Sequence, residues 1–320
     1  MFDAFFTFVS EQFAALHGLV FETGVLPVLH WLGLGGYAEQ AFDGTEIFLI
    51  GAIEITLLAM ILGWVEKWRP AEVQADDGAR RIDVIYTMLH RLGFIPLLMF
   101  LSLGPIVDAV DGQLRMHEII PWKLEDAFPT FNTSPWLSFL CYFVILDLVS
   151  YWLHRAQHKF NFWWALHSLH HSQKQMSFWS DDRNHLLDDF VIDGAFAVVA
   201  LLIGVAPGQF VMIVVATRVV ESLSHANLRL SFGRIGKYML VSPRFHRIHH
   251  GIGVGHEGPV RGCNFAVLLP VWDVIFRTAN FDNSYPSTGV RDQLDGAEYG
   301  RGFWAQQWLG LKRLVGVFSK

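Results

Sequence analysis

The stretch "PWLSFLCYFVILDLVSYWL", residues 135–153, runs without a break into "HRAQHK", residues 154–159. Its 19 residues carry one charge, Asp147, and approach the ~20 that a helix needs to cross a bilayer core. A span that ends directly in histidines puts imidazoles at one boundary of the membrane. An acid inside a span is costly and is kept for a purpose. Asp147 lies seven residues before His154, two turns away on the same helical face. It is therefore expected to orient a ligand imidazole through the ring N–H that does not face the metal.

Working outward, the rest of the chain supports a membrane protein. Of 320 residues, 52% are hydrophobic and only 17% charged, with a mean hydropathy of +0.33; soluble domains carry about 25% charged residues. The 27 Phe and 12 Trp suit anchoring at the bilayer interface. A net charge of −6 and the lack of a basic face argue against a nucleic-acid partner. Cys141 and Cys263 form no disulfide framework and match no zinc-thiolate spacing, so both read as small buried hydrophobes. The N-terminus has no cationic start, short apolar run and small-residue cleavage site, so insertion without cleavage is expected.

A first span is expected over 45–65 and a second from about 84 to 107, interrupted by "HRLG" at 90–93. Residues 1–40, broken by Glu11, His17, Glu22, Pro27 and several glycines, read as interfacial or short re-entrant helices. An acidic loop is expected over 108–134. The last apolar block, 190–220, is divided by "GVAPG" at 204–208, which predicts a helical hairpin that re-enters the membrane and returns. Lys67, Arg69, Arg80 and Arg81 mark their loop as cytoplasmic, which puts 154–189 and 221–320 on that side. The fold expected is all-α and polytopic, with about four transmembrane helices, a re-entrant hairpin and a cytoplasmic histidine-bearing helical cap. The segments are 1–134, 135–281 and a tail, 282–320, ending in an amphipathic helix.

Two further clusters match "HRAQH": "HSLHH" at 167–171 and "HRIHH" at 246–250. Residues three and four apart share a helical face, so His154 projects with His158, His167 with His170 and His171, and His246 with His249 and His250. Eight of 15 histidines fall in these clusters. Imidazole suits Fe, Zn, Cu and Ni; eight exceed one tetrahedral zinc and fit two ions with open positions. Neither the Glu-x-x-His pattern of soluble di-iron bundles nor the His-Glu-x-x-His of zinc proteases occurs. His90 and Arg91, inside the second span, are candidates for contact with a substrate headgroup.

With these boxes in this order, the chain resembles the membrane-bound fatty acid hydroxylase and sterol desaturase superfamily. "SPRFHRIHH" followed by "NFAVLLPVWDVIFRTANF" (264–281) resembles that family's C-terminal signature. "SHANLRL" (224–230) resembles the segment that supplies a further histidine ligand, here His225. The resemblance implies a non-haem di-iron centre held by the boxes, replaceable by zinc in recombinant protein, and O2-dependent hydroxylation of a fatty acyl, sterol or other membrane lipid. It also implies electrons from a separate donor such as a ferredoxin, cytochrome b5 or reductase. Desaturation is the alternative within the family, ether-lipid oxygenation a further branch, and a zinc-dependent hydrolase the alternative outside it. Glu221 stands where some relatives have a second histidine, and His185, in "RNHLL", resembles an Arg-x-His-Pro-Leu segment with Leu186 in place of proline. Each is a candidate ligand or ligand-supporting residue, and Asp188 is a candidate for supporting a ligand. An integral protein of a bacterial inner membrane, with its active site on the cytoplasmic face, is the expected setting.

Overall fold

The computed structural model describes residues 2–75, 78–120, 122–253 and 262–319, with side chains from residue 7 onward. Helices dominate, and no strand forms among the described residues beyond two isolated bridges. In chain order the principal helices are α1 (Phe2–Val20), α2 (Leu26–Trp31), α3 (Ala38–Trp68), α4 (Ala79–Arg91), α5 (Phe94–Met116) and α6 (Pro135–Lys159). They continue with α7 (Asn161–His171), α8 (Leu186–Leu202), α9 (Pro207–His225), α10 (Pro243–His249), α11 (Val271–Ile275) and α12 (Phe303–Phe318).

Four helical runs among the described residues are long and apolar enough to cross a membrane: Thr7–Trp31, Gly35–Trp68, Phe94–Met116 and Pro135–Lys159. The first falls in residues 1–40, read above as interfacial or short re-entrant helices, and joins them into one near-continuous helical run. A widened π turn, Phe21–Val25, joins α1 to α2 and leaves Pro27 in the first turn of α2, where a missing N–H is tolerated. The expected second span is corrected. Helix α4 stops at Arg91, Gly93 takes a left-handed φ of +90°, and the apolar helix begins afresh at Phe94. Asp108 and Asp111, assigned above to a loop, lie inside α5, where Asp111 pairs with Arg115 one turn on at 2.6 Å. The block 190–220 breaks where expected: α8 ends, Gly204 adopts φ +66°, and Pro207 opens α9 at its first position.

The chain divides into two compact units. The first comprises Met1–Leu57 and Met88–Leu98. Within it Arg91, 1% exposed, donates to Glu54 at 2.7 Å. Gly51 permits this crossing of α3 and α4, because a Cβ there would lie 1.7 Å from the Arg91 carbonyl oxygen. His17 Nε2 donates to the Phe42 carbonyl at 2.9 Å.

The second unit comprises Leu58–Thr87 and Met99–Lys320. Its polar ties run between segments far apart in sequence, as buried polar groups require. Glu66 accepts the backbone N–H groups of Phe178 and Asn227, and the Asn227 side chain bonds the backbone of Glu72 on both its N–H and C=O. Asp83 accepts from Arg183 at 2.5 Å and from Gln173. Helix α12, the expected amphipathic tail, packs on α7. Its Gln307 side chain accepts from the Leu186 N–H and donates to the Asn184 carbonyl and the Tyr86 hydroxyl.

Candidate metal centre

Each helix that carries box histidines presents them near its C-terminal end. His158 lies in the last turn of α6, His170 and His171 close α7, His225 closes α9, and His246 and His249 lie in the last turns of α10, with His250 as its C-cap. Helix C-termini carry partial negative charge and favour cations, so the backbone as well as the imidazoles suits positive ions. Local sequence places the ends: Ser242 caps α10 by accepting from the Phe245 N–H, with Pro243 in the first turn, while extended Phe160 separates α6 from α7.

The side chains converge into two groups. His154, His158, His171 and His249 form one, and His170, His225, His246 and His250 the other; within each, the ligand nitrogens lie within 4.8 Å of one another. All eight are buried. The groups adjoin, with the rings of His171 and His250 stacked at 4.2 Å between centroids. In the second group the Nε2 atoms already meet. His170 and His246 lie 3.1 and 3.0 Å from His225, and His250 lies 3.1 Å from His246. Nitrogens bound at ~2.1 Å to one ion and 90–109° apart would stand ~3.0–3.4 Å from each other, so the donor set fits a metal ion. Burial, followed by neighbouring imidazoles, pushes His170, His171, His246 and His250 well below the ordinary histidine range. They are therefore neutral, as ligands must be.

His167 belongs to neither four-membered group. Its ring stands 5.2 Å from those of His154 and His158 and 5.1 Å from that of His171. Its Nδ1 donates to Asp188 at 3.1 Å and its buried Nε2 meets no partner among the described residues, leaving a lone pair beside the first group. Asp188, in the first turn of α8, also accepts from Gln157 Nε2 at 2.8 Å and Trp163 Nε1 at 2.7 Å. Asp188 at the start of α8 and His225 at the end of α9 thus both lie at the centre. The α8–α9 pair leaves the site and comes back to it.

Other sequence candidates fall elsewhere. Asp147 does not hold an imidazole: it accepts from the backbone N–H groups of Leu268 and Leu269 at 3.0 and 3.1 Å and from Trp272 Nε1 at 2.8 Å. The seven-residue spacing to His154 is sound, but three donors from the 268–272 turn reach the carboxylate first. His185 is in neither group. Its Nε2–H donates to the Gln307 carbonyl and its Nδ1 accepts the Leu187 N–H as the N-cap of α8, so no ring lone pair remains for a metal. Glu221 acts through its backbone carbonyl, which accepts His225 Nδ1–H at 2.8 Å; its carboxylate joins neither group. His90 and Arg91 belong to the first compact unit, where the Arg91 guanidinium is engaged by Glu54. His256 lies outside the described residues.

Sequence reasoning missed a strap at 263–266. The Cys263 carbonyl accepts His249 Nδ1–H and the Phe265 carbonyl accepts His154 Nδ1–H, both at 2.8 Å. Asn264 bends the strap with a left-handed φ of +60° and ties it to Phe245 and Asn280. Asp273 accepts the N–H groups of Phe265 and Ala266 and the hydroxyl of Thr278. Burial raises the Asp273 carboxyl to about 6, so it is ionised at neutral pH and accepts all three. The available signal was the Asn264 and Asp273 pair inside the "NFAVLLPVWD" stretch. Its spacing alone points to no partner.

Comparison with known proteins agrees with this geometry. The fatty acid hydroxylase family model matches residues 139–278, which hold every histidine of both groups. The chain is 27% identical to human (Homo sapiens) alkylglycerol monooxygenase over 246 residues, 76% of this chain and 49% of that protein. The zebrafish (Danio rerio) alkylglycerol monooxygenase is 28% identical over 247 residues, 76% of this chain and 47% of its own length. The chain thus covers about half the length of the curated relatives it matches. No solved structure matches it. With its four apolar helical runs and its histidine boxes, this integral membrane protein resembles the fatty acid hydroxylase family over residues 139–278.

Proposed function

We propose that the chain is an O2-dependent di-iron monooxygenase that hydroxylates a membrane lipid, with a glyceryl ether lipid as the substrate class. The observation that carries the reading is the pair of adjoining, fully buried four-histidine groups. The substrate class rests on the names of the two relatives, and those names favour hydroxylation over desaturation. Two adjoining four-nitrogen groups exceed what a single hydrolytic zinc takes up.

His154, His158, His171 and His249, with His167 beside them, would hold one iron, and His170, His225, His246 and His250 the other. An iron pair bound there would supply the activation of dioxygen that attack on an unactivated C–H bond requires, with electrons from a separate donor. The protein does the rest. Burial keeps the imidazoles neutral and excludes water; the strap carbonyls, Asp188 and Glu221 fix four ring orientations; and the helix C-termini favour the cationic centre. Helices α8 and α9 would form the re-entrant hairpin, and the basic stretch 67–81 supports a cytoplasmic centre.

The test is mass spectrometry of lipids from membranes expressing the chain under 18O2, with donor and glyceryl ether lipid supplied. The expected result is a product carrying one 18O atom that disappears in His170→Ala and His249→Ala. Turnover without label from O2, or turnover unaffected by both substitutions, would overturn the proposal.

A further inference from the structure

Helix α12 is amphipathic in reverse. Its buried residues are Gln306, Gln307 and Gly310, two amides and a glycine. Its apolar stripe, Trp304, Trp308, Leu311, Val315 and Phe318, recurs at steps of four and three residues along one helical face and points away from the protein. Trp304 is 76% exposed and Val315 67%. A surface helix in water does the opposite, laying its apolar stripe on the core and its polar face in solvent. A contiguous exposed apolar patch marks a surface that meets a partner or a membrane.

Specific bonds on the inward face fix this orientation. The Gln307 side chain accepts from the Leu186 N–H at 2.9 Å and donates to the Asn184 carbonyl and the Tyr86 hydroxyl, both at 3.0 Å. Its backbone carbonyl accepts from His185 Nε2 at 2.8 Å. One turn on, the Arg313 guanidinium lies 3.6 Å from the centre of the Tyr299 ring and donates to the Glu298 carbonyl at 2.6 Å. Rolling α12 over to bury its tryptophans would break these bonds and leave polar groups without partners, which is costly. The stripe therefore stays outward, and something apolar must cover it.

Three observations name the cover. Helix α12 packs along α7, which begins at Asn161, two residues after the apolar run Pro135–Lys159 ends; Phe160 and Phe162, at that junction, are exposed as well. Gln307 ties α12 to the start of the apolar helix α8, and the residues that follow the bonded pair, Trp308 and Leu187, are both exposed, so the apolar surface runs from one helix to the next. The stripe also has the composition of a membrane boundary: two tryptophans, with Lys312 Nζ 5.6 Å from the Trp308 ring, suit a helix lying at headgroup depth. Five residues of one helix fall well short of the roughly 20–30 a side that a stable protein interface uses. We infer that α12 is an interfacial membrane helix, its outer stripe seated among phospholipid at the boundary of headgroups and acyl chains while its polar face is held by the protein. This placement follows from packing and exposure alone, whatever ions the histidine groups hold.

The experiment places the full chain in phosphatidylcholine vesicles and compares two positions of nearly equal exposure, Val315 on the stripe and Leu294, 70% exposed in the charged turn Arg291–Asp295. Val315→Cys and Leu294→Cys are each labelled with a bimane maleimide, the parent chain with Cys141 and Cys263 serving as background. Phosphatidylcholine brominated near the headgroup end of its acyl chains should quench the Val315 label by about twofold or more, and iodide in the water should quench the Leu294 label instead. Quenching of the Val315 label by iodide, with no effect of brominated lipid, would overturn the inference by placing the stripe in water. Shielding of that label from both quenchers would overturn it by showing a protein on the stripe. The unsubstituted chain supplies a second reading that no substitution can disturb. Irradiated in vesicles with phosphatidylcholine carrying a diazirine near the headgroup, it should acquire lipid adducts on the 303–318 segment; adducts on the four apolar runs and none on α12 would overturn the inference.

Discussion

Asp188 offers the sharpest single perturbation. Its Oδ1 accepts from Gln157 and Trp163, and its Oδ2 accepts from His167 Nδ1. Asp188→Asn preserves shape, and with the amide oxygen in place of Oδ1 both outer donors keep their acceptor. The amide NH2 then faces His167, which a donor satisfies only if the imidazole shifts its proton to Nε2. His167 loses its lone pair beside the first group. The expected loss of affinity is about 10–100-fold, or ~1.4–2.7 kcal/mol, at one site. The metal-free fold should lose only ~1 kcal/mol, since two bonds pass from charged to neutral acceptors. The assay is the melting temperature with and without saturating Co(II), because a ligand that binds only the native state raises stability with its affinity. The metal-induced rise should shrink markedly while the metal-free melt shifts little. An unchanged metal-induced rise, or a metal-free loss as large as the metal-bound one, would refute the assignment of Asp188 to ligand orientation.

Other perturbations follow from the same geometry. Acid should remove metal and fold together. His170, His171, His246 and His250 sit below their ordinary value of 6.5, so below that pH the unfolded chain binds protons that the native chain does not. Stability then falls by up to ~1.4 kcal/mol per pH unit for each group, measurable as melting temperature from pH 8 to 5; no decline below 6.5 would contradict neutral burial. Asn264→Ala should destabilise by ~2–4 kcal/mol, combining a left-handed φ with lost strap bonds, and Asn264→Gly by less; equal losses on denaturant melts would exclude a backbone contribution. Gly310→Val should detach α12, because a Cβ there would lie 2.4 Å from the His185 ring; the readout is protease sensitivity of the C-terminal segment. Arg91→Met alone should cost ~3–5 kcal/mol by stranding Glu54, and Arg91→Met with Glu54→Leu should recover most of it; additive losses in a double-mutant cycle would contradict a coupled pair.

The clustering of the histidines was legible in the sequence because three- and four-residue spacings put them on shared helical faces, but not how each box divides between the two groups, which set His170 apart from His171 and His249 from His250. What the sequence could not show was which acceptor each imidazole finds. Asp147 and Asp188 look alike as acids near histidines. One is captured by the 268–272 turn and the other by His167, a choice made by packing across more than a hundred residues in the first case. The strap was hidden for a related reason, since its contribution to the imidazoles comes from backbone carbonyls, and any residue supplies a carbonyl. His185 misled because a histidine can cap a helix and bond a neighbouring helix with the two nitrogens a metal would otherwise compete for. At the N-terminus, Pro27 and Gly24 read as breaks, but the π turn absorbs them.

The central claim is that eight buried imidazoles form two adjoining ion sites. Its most direct test is the count of metal ions bound per chain in protein purified anaerobically and reconstituted with Fe(II), measured beside His158→Ala and His246→Ala. Two ions per wild-type chain, with one lost in each variant, is the result this account predicts. A wild-type chain that saturates at a single ion, or variants that keep both, would contradict it.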